Sequence, residues 1–149
     1  MVIRLIKEVA PLIDILNENV VTIKPSNSIS EAAYLMRNED IGALIVTDED
    51  MTPIGIITDR DIVVSVIAEG LNPKVKKVED VMTKDIVFVD EDTNILNILK
   101  TMAEYSIRRM PVTQNGRLIG IVSVDDLIVV VATELAQLST ALSGRSKNL

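Results

Sequence analysis

The chain of 149 residues carries a formal net charge of −7 and contains neither cysteine nor histidine. The absence of these two residues excludes disulfides, thiolate nucleophiles and zinc-thiolate clusters, and it removes the commonest general base and metal ligand. The acidic excess disfavours loose binding to nucleic acid, which depends on many lysines and arginines, while the apolar fraction of 48% is typical of a folded globular protein.

Residues 1–11 form a lead-in segment whose apolar run is interrupted by Arg4, Lys7 and Glu8. Apolar runs elsewhere, such as Leu127 to Ala132, fall far short of the length needed to span a membrane. The sequence therefore predicts a cytoplasmic, unprocessed protein with no membrane partner. With only three aromatic residues, it offers no stacking platform for single-stranded nucleic acid.

The chain is built from two copies of one unit. A shift of 66 residues aligns Leu12–Ile23 with Val78–Val89, and a single-residue deletion near Asn115 reduces the shift to 65. Because internal repetition decides the architecture, this alignment predicts a duplicated domain with pseudo-twofold symmetry. We divide the chain into a lead-in (1–11), a first unit (12–70), a linker (71–77), a second unit (78–133) and a helical extension with a tail (134–149).

Each unit is predicted to begin with a short strand and a helix. The strands cover residues 20–23 and 86–89. Ser28 and Glu31 have the spacing of a capping box, which marks the start of the first helix. The apolar residues that follow recur at helical spacing in both units: Ile29, Ala32, Ala33 and Met36 in the first, and Ile95, Ile98, Leu99 and Met102 in the second.

Two strands and a closing helix complete each unit. The strands cover 41–47 and 53–58 in the first unit and 107–113 and 118–123 in the second, where Asn115-Gly116 is a strong hairpin signal. The closing helices begin near Ile62 and Leu127 and are apolar on several faces, so each needs a second partner, either the other unit or another chain. Core strands are the alternative, because periodicity alone does not separate the two.

One motif, GIITDRDI in the first unit and GIVSVDDL in the second, stands where a strand ends and a helix begins. Thr58 and Ser123 are each followed three residues later by an aspartate, Asp61 and Asp126. One interpretation is helix capping, with the acid stabilised in the first turn. The other is a nucleotide site, in which the helix N–H groups and the hydroxyl bind phosphate and the aspartate accepts hydrogen bonds from ribose.

The order of elements, the duplication and the segments VEDVMTKDIVFVDED, IRRMPV and GIVSVDDL resemble paired cystathionine beta-synthase (CBS) domains, an arrangement called a Bateman module. The resemblance extends from about Leu12 to Thr133. It implies an α/β (α+β) fold of two strand-helix-strand-strand-helix units packed sheet to sheet, which dimerise into a flat disc. It also implies adenosine-containing ligands in the clefts between units, and a regulatory rather than a catalytic role.

The resemblance implies a favoured cleft in the second unit. Ser123 and Asp126 match the family's phosphate-side hydroxyl and ribose-binding acid. Arg108 and Arg109 match the stretch that frames adenine and phosphate, although they are alternatively charges on a strand edge that discourage aggregation. The residues assigned to this cleft are Met82, Thr83, Ile86, Arg108, Arg109, Met110, Pro111, Ser123 and Asp126.

The first cleft carries the same pair of roles on Thr58 and Asp61. It lacks the two arginines and the proline, and Arg60 stands where the second unit has Asp125, so we expect unequal affinities. Arg60 either binds phosphate or is a solvated helix residue paired with a carboxylate. The residues assigned to this cleft are Val20, Ile41, Gly42, Ala43, Thr58, Arg60 and Asp61.

The sequence thus favours a stand-alone regulatory module, a homodimer, that binds AMP, ADP or ATP and acts on an unknown effector protein. S-adenosylmethionine and NAD are further candidate ligands, and neither a metal, a cofactor nor a nucleic-acid partner is expected. The alternative is a ligand-free structural or interaction module that dimerises and regulates a partner protein. Catalysis is disfavoured because the chain lacks histidine, cysteine, a glycine-rich phosphate loop and a metal-ligand cluster.

Overall fold

Each repeat folds as a short strand, a helix, two longer strands and a closing helix in the computed structural model, which describes residues 12–146. The first repeat contains β1 (Thr22–Ile23), α1 (Ile29–Glu39), β2 (Ala43–Thr47), β3 (Pro53–Thr58) and α2 (Asp59–Ile62), which continues as a π-helix over Val63–Ile67. The second contains β4 (Thr83–Lys84), β5 (Val89–Asp90), α3 (Ile95–Tyr105), β6 (Arg109–Gln114), β7 (Arg117–Ser123) and α4 (Val124–Ser146). A 3-10 turn opens each repeat, at Leu12–Ile15 and at Val78–Asp80.

The strands form two sheets, one with the order β1-β2-β3-β4 and one with the order β5-β6-β7. In each sheet a short parallel strand pairs with the first strand of an antiparallel hairpin. The second hairpin turns at Asn115 and Gly116, which have φ angles of 52° and 80°, as the Asn-Gly signal predicted. The predicted strand-helix-strand-strand-helix order is confirmed.

The short strands differ from the prediction at their bounds. Residues 20–23 were expected as a strand, but β1 begins at Thr22. Residues 86–89 were expected as well, but β5 begins only at Val89, where the chain first pairs with Val112. Asp85, at φ 56°, turns the chain between β4 and β5, so the residues after it have no strand partner.

The closing segments are helical, and the alternative of core strands is wrong. The second of them is longer than its apolar run predicts, because α4 continues through the extension to Ser146. In the part of the chain that the structure describes, α4 is the one helix that is long and apolar enough, over Val124–Gly144, to cross a membrane by length and composition alone. The shorter runs considered in the sequence did not reveal this.

The two repeats exchange their first segments. Residues Thr83 and Lys84, at the start of the second repeat, pair with Ile56 and Gly55 of β3 in the first. Reciprocally, Asn17 bridges to Ile121 of β7 in the second, with N–H to O distances of 2.9 and 3.0 Å. The exchange therefore connects the two repeats by backbone hydrogen bonds in both directions.

The exchange extends to the two hydrophobic cores. Val78 and Met82 pack into the core of the first repeat, which includes Leu44 and Ile57. Leu12, from the start of the first repeat, is buried in the core of the second. The packed units are therefore offset from the sequence repeats, and each unit needs a segment from the other to complete its interior.

Helix α1 begins with the predicted capping box. The Ser28 hydroxyl accepts the Glu31 N–H at 3.1 Å, and the Glu31 carboxylate accepts the Ser28 N–H at 2.7 Å. The backbone N–H of Ser28 and the side-chain amide of Asn27 both donate to this carboxylate, and they lower the pKa of Glu31 below its usual value near 4.5.

This capping box predicts a pH dependence of stability. Since the pKa of Glu31 is lowered in the folded state, its contribution is present above the unfolded pKa and is lost as the pH falls through the folded pKa. We expect Glu31→Gln to reduce the drop in melting temperature between neutral pH and about pH 3, measured by scanning calorimetry. Glu104→Gln, at an exposed position near the end of α3, is the control and should leave that drop as in the wild type. An equal drop in the wild type and Glu31→Gln would contradict this role.

Candidate functional site

The two repeated hydroxyl and aspartate pairs lie at the N-termini of α2 and α4. In the first repeat the Thr58 hydroxyl accepts the Asp61 N–H at 3.2 Å, and the Asp61 carboxylate accepts the Thr58 N–H at 2.9 Å. This reciprocal pair is a capping box, so the capping interpretation is confirmed for this copy. Asp61 is half-buried.

The second pair has a different hydrogen-bond pattern. The Ser123 hydroxyl accepts the Asp126 N–H at 3.2 Å, as in the first repeat, but it also donates to the Asp126 carboxylate at 2.8 Å. Asp126 is exposed, and its carboxylate is held by a hydroxyl that can rotate rather than by a backbone N–H. The Asp126 carboxylate is therefore more available to an incoming ligand than that of Asp61.

The strand beside each helix start is placed as the sequence predicted. The Arg108 carbonyl accepts the Val124 N–H at 2.8 Å, and in the first repeat the Gly42 carbonyl accepts the Asp59 N–H at 2.9 Å. The residue after each of these carbonyls is the strand partner of the hydroxyl residue. In the second repeat Arg109 pairs with Ser123. The same register pairs Ala43 with Thr58 in the first.

The charges around the two helix starts differ. The Arg108 guanidinium donates to the Asp125 carboxylate at 2.9 Å, and both side chains are about three-quarters exposed (75% and 74%). Solvent weakens such a pair, so Arg108 can exchange this partner for a ligand phosphate. Within residues 12–146, Arg60 has no carboxylate within 4.0 Å of its guanidinium. The predicted pairing of Arg60 with a nearby carboxylate is therefore not formed.

The sequence assigned two residues from the start of the second repeat to the wrong helix start. Met82 and Thr83 were assigned to the cleft of Ser123, but β4 pairs with β3, so they lie beside Gly55 and Ile56 of the first repeat. The reason is the exchange of segments, which places each of them against the other repeat.

The remaining predicted residues take several positions. Met110 is fully buried in the core of the second repeat, so its side chain is not available to a ligand, and Pro111 next to it is half-buried in β6. Ile41, Val20 and Ile86 are half-buried and lie outside the strands. Neither Val20 nor Ile86 forms a strand pairing with either helix start.

A surface depression of about 330 Å³ adjoins Asp126. Asp14 and Asn17, which sequence reasoning missed, line it from the first segment of the other repeat. The signal was present, because Asp14 aligns with Asp80 in the repeat, but only the exchange shows which helix start it faces. The complete lining is Asp14, Ile15, Leu16, Asn17, Asp126, Val129 and Val130.

The depression has two kinds of wall. Carboxylates of Asp14 and Asp126 supply hydrogen-bond acceptors, and side chains such as Leu16 and Val130 supply an apolar contact surface. Hydroxyl and amino groups of a ligand can donate to the carboxylates, whereas a phosphate would be repelled by them. Arg109 is exposed on the strand that pairs with Ser123, and the exposed Arg108 directly precedes that strand, so an anionic group can be held there.

Comparison with known proteins agrees with this architecture. The model of the CBS domain family matches the chain twice, at residues 12–67 and 78–133. An uncharacterised protein of Methanopyrus kandleri is 37% identical over 118 residues, covering 78% of this chain and 60% of the relative. The chain therefore spans less than two thirds of that relative's length.

Two solved structures have a similar fold. Hypoxic Response Protein I with two coordinated zinc ions has a TM-score of 0.68 at 36% identity, covering 78% of this chain and 94% of that protein. A hexameric CBS-CP12 protein from bloom-forming cyanobacteria has a TM-score of 0.63 at 37% identity, covering 78% of this chain and 68% of that protein. Within residues 12–146 of this chain, no three aspartate or glutamate side chains are grouped closely enough to hold a metal ion.

Proposed function

The chain belongs to the CBS domain family, of which it carries two tandem copies, and we propose that it is a regulatory module that binds AMP, ADP or ATP between its repeats. The observation that carries the proposal is the depression beside Asp126, because its walls come from both repeats. A ligand there contacts Asp14 and Asn17 of the first repeat and Asp126 of the second. Binding can therefore alter how the two repeats are held together.

The ligand class follows from the chemistry of this site. The Asp126 carboxylate can accept both hydroxyls of a ribose, and the adjacent apolar wall suits the face of a purine. Ser123, the N–H groups at the start of α4 and the two arginines can bind a phosphate. An adenine nucleotide combines these three parts in one molecule, and S-adenosylmethionine and NAD share the adenosine.

The second cleft is proposed as the stronger one. Asp126 is exposed, whereas Asp61 is half-buried and accepts a backbone N–H, so a ligand at Asp61 must displace a capping bond. At the positions that the two arginines occupy in the second cleft, the first cleft has Gly42 and Ala43. Arg60 is its one basic side chain among the assigned residues.

An interaction role is the second candidate. Three apolar side chains on the π-helix, those of Val63, Val64 and Ile67, are 50 to 57% exposed. A surface patch of large apolar side chains commonly marks a site of contact with another protein. A solved protein of similar fold, CBS-CP12, is hexameric, which supports self-association of this chain. We propose that this chain forms homodimers in the cytoplasm through its closing helices, and that an effector protein reads the ligand state of the dimer.

A ligand panel tests the regulatory proposal. AMP, ADP, ATP, S-adenosylmethionine and NAD are each added to the protein, and the melting temperature is measured. A ligand at a hundred times its dissociation constant adds about 2.7 kcal/mol of stability, which corresponds to roughly 5 to 10 °C for a chain of this size. We expect at least one adenine nucleotide to reach this range. If none of the five shifts the midpoint, the ligand-free interaction module is the better account.

A pair of matched variants tests the site. Asp126→Asn keeps an oxygen that accepts from Ser123 but loses the charge, so we expect the nucleotide dissociation constant, measured by calorimetry, to rise about tenfold. Asp61→Asn is the control in the other repeat and should change this constant less than threefold, as judged by the same titration (roughly 0.6 kcal/mol). Equal effects of the two variants would show that Asp126 has no special part in binding.

A further inference from the structure

A row of apolar side chains follows one side of α4 into its extension. Ile128, Val131, Leu135, Leu138 and Leu142 succeed one another at alternating spacings of three and four residues, which is the heptad pattern of a coiled coil. Ile128, Leu135 and Leu142 are 54%, 61% and 59% exposed. We call these five residues the heptad seam.

The residues beside the heptad seam are small and almost uncharged. Glu134 is the one charged residue between Asp126 and Arg145, whereas a solvated helix ordinarily carries several charges on its exposed face. If two such helices pair in parallel, Glu134 of one helix lies beside the seam and faces the uncharged Ser139 of the other. Two copies of the seam can therefore approach without repulsion between like charges.

A membrane is the other apolar partner to consider, and the fold disfavours it. Leu127 is fully buried, and Val130 and Val131 pack against the core of the second repeat, so the first turns of α4 are held by the protein itself. Residues 132–146 remain, and 15 residues of helix are about 22 Å long. That length does not cross a hydrocarbon layer of about 30 Å.

We propose that the heptad seam pairs with the same seam of a second copy of this chain, as a two-helix coiled coil. The contact is made by Ile128, Leu135, Leu138 and Leu142, while Val131 packs against its own repeat. The inference rests on the self-association in the proposed function and names its surface. A seam about 22 Å long on a helix about 10 Å wide covers roughly 200 Å² per copy, while a standard interface needs about 800 Å². The seam therefore reinforces a wider contact, and Val129, which is 64% exposed and adjacent to Ile128, can extend it.

Sedimentation equilibrium of the whole protein tests the pairing. The double variant Leu135→Glu with Leu142→Glu places charges in the seam, and we expect the dimer dissociation constant to rise at least tenfold. Gln137→Glu with Thr140→Glu adds the same charges on the opposite face of the helix and should leave the constant unchanged. Far-ultraviolet circular dichroism should show the same helix content in both, because all four side chains are exposed.

Three results would overturn the pairing. These are a monomeric wild type, an unchanged constant for the seam variant, and sedimentation of the wild type with anionic phospholipid vesicles that the seam variant loses. Nucleotide titrations on the same proteins separate this inference from the ligand-binding proposal. A seam variant that dissociates while no nucleotide binds to any variant would support the seam and remove the ligand.

Discussion

Replacing Gly55 with alanine is expected to destabilise the protein by about 1 to 3 kcal/mol, the usual cost of adding a carbon to a filled interior. A Cβ at this position would lie 2.9 Å from the Thr83 carbonyl oxygen and 2.8 Å from the Met82 sulfur. The methionine side chain can move, but the carbonyl belongs to β4, so the alanine must push the exchanged segment away from β3. The loss is measured as the change in the free energy of unfolding in urea.

Gly144→Ala is the control for this substitution. Nothing lies within 4 Å of a Cβ at Gly144, which is in the last turns of α4, and alanine is the better helix former by up to about 1 kcal/mol. We therefore expect no loss of stability there. A Gly55→Ala protein as stable as the wild type would mean that the contact between β3 and β4 is loose enough to absorb a methyl group.

The same argument explains why a glycine begins the repeated motif in both units. Gly120 stands at the position of Gly55 in the second repeat, and a Cβ there would lie 3.0 Å from the Asn17 carbonyl oxygen and 3.1 Å from the Leu16 Cβ. Each glycine therefore lies where the exchanged segment of the other repeat passes. The glycine in the repeated motif serves the connection between repeats, while the hydroxyl and aspartate that follow it serve the helix start.

Much of the fold could be predicted from side-chain patterns. The repeat, the capping box at Ser28 and the Asn115-Gly116 turn are local signals, and each is found in the structure. The exchange of segments is not local, because it depends on backbone hydrogen bonds between Asn17 and Ile121 and between β4 and β3. Backbone hydrogen bonds form whatever the side chains are, so the sequence does not reveal them. The two closely packed glycines of the repeated motif are the one sequence feature that indicates the exchange.

The candidate site was predictable to the same extent. The sequence placed the hydroxyl, the aspartate and the neighbouring strand together, and the structure brings Arg109 opposite Ser123. It misassigned Met82 and Thr83, and it missed Asp14, because a twofold repeat does not say which first segment meets which helix. The sequence also could not distinguish Asp61 from Asp126. The Asp61 carboxylate accepts a hydrogen bond from a backbone N–H, whereas the Asp126 carboxylate accepts one from a hydroxyl, and only the structure shows this.

Leu44→Ala is expected to cost about 2 to 5 kcal/mol, because it removes a fully buried side chain from the core of the first repeat. Leu96→Ala, at a half-exposed position on α3, is the matched control and should change stability by less than about 0.5 kcal/mol. Since Val78 and Met82 of the second repeat share the core with Leu44, the damage should not stay in one repeat. We expect both repeats to unfold together.

Tyrosine fluorescence can follow the two repeats separately during that unfolding. The chain has two tyrosines and no tryptophan, and Tyr34 lies in the first repeat and Tyr105 in the second. In the Leu44→Ala background, Tyr105→Phe leaves a probe of the first repeat and Tyr34→Phe leaves a probe of the second. Because the exchanged segments complete each other's cores, the two urea transitions should coincide, as in two-state unfolding. An earlier transition at Tyr34 would show that the exchange connects the repeats without making them one cooperative unit.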